Sequence, residues 1–204
     1  MEALKELIDG GHMMNKRTVA LTDQQYIDII TAIKSGFCHA GREYKPNERI
    51  ATALTLEANL GMRISDILHL CYCDIIKDGD RYRLNISEIK TGKERVFTVP
   101  DEIREYINQY RITHRMSEQQ RLFYLSERQI QKHLQAACEF LGLSGISTHS
   151  FRKYFATQIY INNGYNIELV RQLLQHSSAA VTQKYIGIQQ KQVEDALQGH
   201  IKLL

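Results

Sequence analysis

The sequence predicts a mainly α domain (α+β), helical over most of its length, with one small three-stranded antiparallel sheet. Two observations carry that prediction. Apolar residues recur every three or four positions in segment after segment, and several of those segments open on a capping-box pair and close on glycine. In one block alone, residues 74–100, the period falls to two, and glycine-containing turns bound the alternating run.

Taken in order, "MEALKELIDGGHMMNK" reads as an N-terminal extension or linker, residues 1–19, because a weakly amphipathic start runs into a glycine-rich joint. The domain proper is expected over residues 20–187. Thr22 and Gln25 have capping-box spacing, Ile29, Ile30 and Ile33 form a stripe, and Gly36 is the expected stop of the first helix. The stretch "FCHAGREYKPN" is expected to be a loop. A second helix runs from about Asn47 to Leu60 and stops at Gly61, and a short third one places Ile64, Ile67, Leu68 and Cys71 on its apolar side. Tyr82, Leu84 and Ile86 alternate with Arg81, Arg83 and Asn85, as in a half-buried strand. "KTGKE" then turns the chain into the strand "RVFTVP", which puts Lys90 at a hairpin tip. From Asp101 the periodicity is helical over about 101–113, 127–141, 149–163, 167–175, 179–186 and 189–198. Ser126 and Gln129 form a second capping box, and Gly142 and Gly164 are stops. The last 17 residues, 188–204, read as a tail helix with Val193, Leu197, Ile201 and Leu204 near one face.

Composition narrows the class without choosing a function. The chain of 204 residues is 43% hydrophobic and 24% charged, which is globular material. No apolar run is long enough to span a bilayer and the start is not a signal peptide, so a cytoplasmic protein is expected. The four cysteines show no zinc spacing and are expected to be reduced and mostly buried. Residues 1–100 balance 14 basic against 14 acidic groups, while residues 101–204 carry 12 against 9. A mildly basic half fits a nucleic-acid partner without demanding one.

Three places concentrate side chains suited to chemistry. "GMRISD" sets Arg63 and Asp66 three apart. "THSFRKYFAT" sets His149 and Arg152 three apart, hence neighbours on one helix face. "QHSSAAVTQKYIG" sets His176 nine residues before Tyr185. Each is weak alone, and the chain carries its own decoy in "HAGR", His39 to Arg42. Order and combination make the signal. The chain reads R-x-x-D, a hairpin-tip lysine, H-x-x-R, H-S-S, and then Tyr within "TQKYIG".

In that text, from about Leu21 to about Gly187, the sequence resembles the catalytic domain of the tyrosine recombinases, the phage integrase family. The resemblance implies a site-specific recombinase that cleaves and rejoins double-stranded DNA through a covalent 3′-phosphotyrosine. Carried over residue by residue, Arg63 and Arg152 are implied to grip the scissile phosphate. Lys90 matches the hairpin lysine, His149 the histidine of the H-x-x-R box, His176 the residue that closes the pocket, and Tyr185 the nucleophile. Asp66 matches the acidic residue that braces the first arginine. Two departures stand out: Gln175 where glycine is often found, and "HSFR" where "HDLR" is commoner. Partners implied are a DNA target site and further copies of the chain, dimer to tetramer, with the tail as a possible link between them. The family usually carries a helical core-binding domain ahead of the catalytic one, and about 20 residues are too few for it. A catalytic fragment or a compact variant is therefore expected.

The chemistry needs these residue types. A phosphodiester is already anionic, so catalysis is mostly positioning plus preorganised positive charge. Guanidinium is planar, stays charged and grips phosphate bidentately. A phenol with an ordinary pKa near 10 needs a base to be a nucleophile at neutral pH, which is the part expected of His149. Lys90 is expected to protonate the leaving 5′ oxygen, with Lys93 a rival in the same turn. No metal and no nucleotide cofactor is expected, because neither metal-ligand spacing nor a phosphate-binding glycine loop occurs. Two other functions fit the same residues: a type IB topoisomerase-like nicking-closing enzyme, and a catalytically silent DNA-binding accessory protein.

Overall fold

The computed structural model describes residues 18–187 and 198–200. Helix α1 (Asp23–Ser35) opens on the expected reciprocal cap. The Thr22 hydroxyl accepts from the Gln25 N–H at 3.2 Å, and the Gln25 side chain accepts from the Thr22 N–H at 3.0 Å. Helix α2 (Glu48–Leu60) is capped by Asn47, and α3 (Ile64–Ile67) follows after only three residues. The period-two block forms β3 (Ile75–Asp78), β4 (Arg81–Ser87) and β5 (Glu94–Val99), paired antiparallel in that order. Leu84 lies opposite Ile75 on one side and Phe97 on the other, which sets the apolar face of the sheet against the core. Helices α4 (Asp101–Thr113), α5 (Glu127–Phe140), α6 (Thr148–Asn162), α7 (Ile167–Leu174) and α8 (Ala179–Ile186) lie within one residue of the expected bounds. Among the described residues no helix is long and apolar enough to cross a membrane. The expected tail helix lies outside the described residues, except that residues 198–200 are helical.

Two expectations need correction. The stretch read as a loop after α1 is a second, two-stranded sheet of β1 (Phe37–His39) and β2 (Arg42–Tyr44). Its turn is Ala40-Gly41 with φ of 46° and 72°. A two-residue turn with both φ positive suits the twist of a hairpin, but alanine there carries none of the usual turn signal. Aromatic packing holds the hairpin instead: Phe37 stacks on Tyr44 at 4.7 Å and on Phe140 of α5 at 5.2 Å. The second correction concerns the thiols. Of the four, only Cys138 is buried, while Cys38 and Cys73 are exposed.

Among the described residues the buried apolar side chains form two groups of unequal size. The larger joins α1 to α5, the sheet and the start of α6, around Leu54, Leu56, Ile67, Leu84, Ile107 and Phe151. The smaller holds Ala156, Tyr160, Val170, Leu174 and Ile186, with Phe155 and Tyr185 packed against it. It is the support for α8, the helix that carries Tyr185. Gly61 ties the two together. It caps α2 in the left-handed region (φ 58°), and a Cβ built there would lie 2.2 Å from the Phe155 ring. A side chain at this point would hold the end of α2, which leads into Arg63, away from α6, which carries Arg152.

Candidate active site

Six of the seven residues singled out by sequence belong to one locality, delivered by the cap of α3, the β4–β5 turn, the start of α6, the end of α7 and helix α8. Arg63 is the N-cap residue of α3, extended at φ −75° and ψ 149°, so its side chain leaves the helix axis at the point where α2 ends. Its Nη1 donates to Glu88 Oε2 at 2.6 Å. Burial pushes the Glu88 carboxyl up. Hydrogen bonds from Thr91 and Arg63, and the charges of Arg63 and Arg95, outweigh burial and hold it below the usual carboxylate range. Glu88 is therefore an ionised, buried brace.

That finding corrects the part expected of Asp66. The carboxylate on Arg63 is Glu88, and Asp66 Oδ1 accepts from the backbone N–H of Ile89 at 2.9 Å. Helical geometry explains the exchange. Asp66 lies inside α3, whereas Arg63 caps it with an extended backbone, so the two side chains diverge. Asp66 instead anchors the hairpin one residue before Lys90.

Lys90 is exposed in the turn between β4 and β5. It is near enough to help lower the pKa of His149. His149 and Arg152 lie on the first turns of α6. Partial burial, then the charges of Arg152, Lys90 and Arg63, push the His149 imidazole below its ordinary value. It is neutral at pH 7 and free to accept a proton.

Arg152 is 4% exposed. Its Nη2 donates to the Leu174 carbonyl at 3.2 Å, and its Nη1 is buried. The Tyr185 hydroxyl is buried too, and Arg152 is the hydrogen-bonding group that acts on it. Burial pushes this phenol up to about 12, against the pull of Arg152 and Arg63. A buried guanidinium that leans on a buried phenol is a pairing that suits an anion. The Tyr185 ring lies edge-on to His176 at 5.2 Å and under Lys153 Nζ at 5.3 Å. Tyr185 is thus held beside the arginine of its own chain.

His176 follows a turn that works without the usual glycine. Gln175 adopts the left-handed conformation (φ 55°, ψ 37°) and its side chain donates to the Glu94 carbonyl at 2.9 Å, which helps offset the strain. His176 Nδ1 lies 3.1 Å from Thr182 Oγ1, whose own proton goes to the Ser178 carbonyl at 3.2 Å. The threonine oxygen accepts from Nδ1–H, which fixes the tautomer and leaves Nε2 free. Burial and the charges of Arg152, Arg63 and Arg95 push this ring down to about 4.

Three residues that sequence motifs missed complete the site. Glu88 and Arg95 are buried at 2% each. A signal was present: Glu88 continues the inward phase of Tyr82, Leu84 and Ile86, and Arg95 shares the phase of Phe97 and Val99. A charge in the apolar phase of a strand calls for a buried partner. The third is Glu57, in the middle of α2, fully buried with the backbone N–H of Ile64 near its carboxylate. Burial pushes its pKa well above 4.5, opposed by the Arg152 charge. A carboxyl with a raised folded-state pKa does not oppose folding below its unfolded value, and weighs against it as pH rises toward the folded one. Glu57→Gln keeps the shape without the charge. It should therefore melt above wild type at pH 8, by about 0.5–2 kcal/mol, with the gap closing toward pH 4.5. Thermal melts at the two pH values check this, and a gap independent of pH would show that Glu57 is not buried as a neutral acid.

Tyr154 and Tyr160 are packing residues: Tyr154 stacks on Tyr26 at 5.1 Å, and Tyr160 meets the exposed Tyr165 edge-on at 5.4 Å. Among the described residues no three His, Cys, Asp or Glu side chains converge as metal ligands. The decoy pair lies apart from the site, with His39 Nε2 on Glu139 at 3.3 Å.

Residues 19–192 match the profile described as "Phage integrase family". The chain is 34% identical over 137 residues to the probable integrase/recombinase YoeC of Bacillus subtilis (strain 168), an alignment covering 64% of this chain and 72% of that protein. It is 28% identical over 178 residues to the tyrosine recombinase XerC of Rhizobium meliloti (strain 1021), covering 83% of this chain and 54% of XerC, so the chain spans about half of that relative. Among solved structures it resembles XerA recombinase in fold, with a TM-score of 0.64 at 20% identity, over 92% of this chain and 67% of the other.

Proposed function

The chain belongs to the phage integrase family, and from that premise we propose that it carries the catalytic domain, residues 20–187, of a tyrosine-type site-specific recombinase acting on double-stranded DNA. The observation that carries the reading is the pairing of the buried Arg152 guanidinium with the buried Tyr185 hydroxyl, with Arg63 near enough to act on the phenol and His176 against its ring.

In this reading the scissile phosphate sits between Arg63 and Arg152. Each guanidinium already spends one nitrogen on the protein, on Glu88 and on the Leu174 carbonyl, so each is held in place while its other nitrogens meet phosphate oxygens. His149, neutral at pH 7, takes the proton as Tyr185 Oη attacks phosphorus. The bond from phosphorus to the 5′ oxygen breaks, and Lys90 supplies the proton that oxygen needs. The product is a 3′-phosphotyrosyl link and a free 5′-hydroxyl. Attack on the link by another 5′-hydroxyl reverses each step and releases Tyr185, so bond energy is conserved without a cofactor. His176 closes the pocket beside the nucleophile. Tyr185 serves its own chain's pocket, and assembly of two to four copies on DNA belongs to the same reading, as does a cytoplasmic location.

The test is a duplex nicked near its cleavage site, so that the cut strand loses its 5′ end by diffusion. Wild-type protein should accumulate a covalent adduct that migrates as protein plus one strand. Binding with no adduct at a cognate site would favour the silent accessory protein. Efficient relaxation of plasmid without any target site would favour the topoisomerase.

A further inference from the structure

Arg95 is the least exposed arginine of the site, and nothing in the catalytic scheme uses it. It leaves β5 immediately after the Lys90 hairpin. Its Nη1 donates to Glu88 Oε1 at 3.3 Å, the same carboxylate that holds Arg63 through its other oxygen. Its Nη2 lies 3.2 Å from the carbonyls of Leu60 and Gly61, at the end of α2, and 2.9 Å from the carbonyl of Leu173, at the end of α7. The next carbonyl along α7, Leu174, is the one that accepts from Arg152, and His176 follows two residues later. One guanidinium therefore touches the segment that ends in Arg63, the hairpin that carries Lys90, and the helix end that holds Arg152 and leads to His176.

Such an arrangement is costly to bury unless it serves geometry. The charge is desolvated, its Nε is unpartnered, and it lies near the Arg152 cation. A neutral side chain would fill the space with less penalty but could not satisfy three carbonyls and a carboxylate from one planar fork. On the reading of the site given above, we propose that Arg95 is a positioning residue for strand cleavage, fixing the Arg63 segment, the Lys90 hairpin and the α7 terminus relative to one another without touching DNA.

Misplacing reacting groups by about 1 Å costs on the order of 100-fold in rate. Arg95→Ala should lower single-turnover cleavage of a nicked duplex about 100-fold at saturating protein, with affinity for the duplex changed less than about threefold. Arg95→Lys keeps the charge but has only one donor head, and should still lose at least about tenfold. Arg95 also borders an open cleft with Val96, Phe97, Leu169, Gln172, Leu173 and Gln175, so a small ion can reach the vacated place. Millimolar guanidinium should restore Arg95→Ala, and methylammonium should not. An activity-independent measurement runs beside these. A 3-fluorotyrosine at position 185 should show a shifted or split fluorine resonance in both variants without DNA. A folded Arg95→Ala with wild-type cleavage, full activity in Arg95→Lys, or an unmoved resonance would each overturn the assignment. Failure of both variants to fold would overturn it too, leaving a structural arginine. If wild-type protein forms no adduct, the recombinase reading falls, and the fluorine resonance still decides the place of Arg95.

Discussion

Tyr185→Phe should abolish the covalent adduct while leaving duplex binding intact. The change removes one oxygen whose hydrogen-bonding neighbour in the free protein is Arg152, so the fold loses little. The same oxygen is the proposed nucleophile, and nothing beside it can substitute. Its surroundings also set how hard the step is. With the phenol pushed up to about 12, ionisation at pH 7 costs about 7 kcal/mol. Arg152 and Arg63 pull that value down without reversing it, so the proton must be handed over during attack rather than lost beforehand. His149 is the proposed acceptor, and its pKa lies below the ordinary histidine value. As a base it works when neutral. The acid limb of the cleavage profile should therefore fall below pH 6.5, with the rate nearly flat from there to pH 8. Single-turnover adduct formation across that range measures both claims. An adduct persisting in Tyr185→Phe would falsify the nucleophile assignment, and a profile still climbing steeply above pH 7 would sink His149 as the base.

The residues that touch the proposed phosphate were legible in sequence because their chemistry fixes their type. Arg63, His149, Arg152, His176 and Tyr185 occur in a fixed order, and the structure brings them together. What holds them was not legible in the same way. Arg63 could have been braced by Asp66, three residues away on what reads as one helix. It is braced by Glu88, because Arg63 caps α3 with an extended backbone and points elsewhere. That depends on a dihedral angle, which spacing does not encode. Glu88 and Arg95 did leave a trace, charges in the inward phase of two strands, but the trace names neither partner. Glu57 left less: one acid on an otherwise apolar face of α2, whose meaning depends on α6 crossing at Gly61. The β1–β2 hairpin was hidden because its turn is Ala-Gly and its strands are three residues each, so aromatic contacts with α5 make it rather than local propensity.

The arginine on α6 should prove as indispensable as the tyrosine, for a different reason. Arg152→Ala removes a preorganised donor from the phosphate and should lower cleavage by about 100- to 1000-fold. Arg152→Lys should recover little. The guanidinium divides its nitrogens between the Leu174 carbonyl and the space beside Tyr185, and an ammonium that satisfies the first cannot also grip the phosphate. Binding of the duplex should change far less than the rate, since one phosphate contact is a small part of the whole interface. The substitution has a second effect that separates it from Tyr185→Phe. Arg152 is the cation that most counters the burial of Glu57. Without it, Glu57 should hold its proton to a still higher pH, and the stability lost on raising the pH toward 8 should exceed that of wild type. Combining Arg152→Ala with Glu57→Gln should remove that extra pH dependence and leave the catalytic defect unchanged. Thermal melts at pH 6 and pH 8, paired with single-turnover cleavage, read the two effects separately. If the double variant kept the steeper pH dependence, the coupling between Glu57 and Arg152 would be wrong. If Arg152→Lys cleaved at the wild-type rate, the site would need only a positive charge there, and the forked geometry would have no part in catalysis.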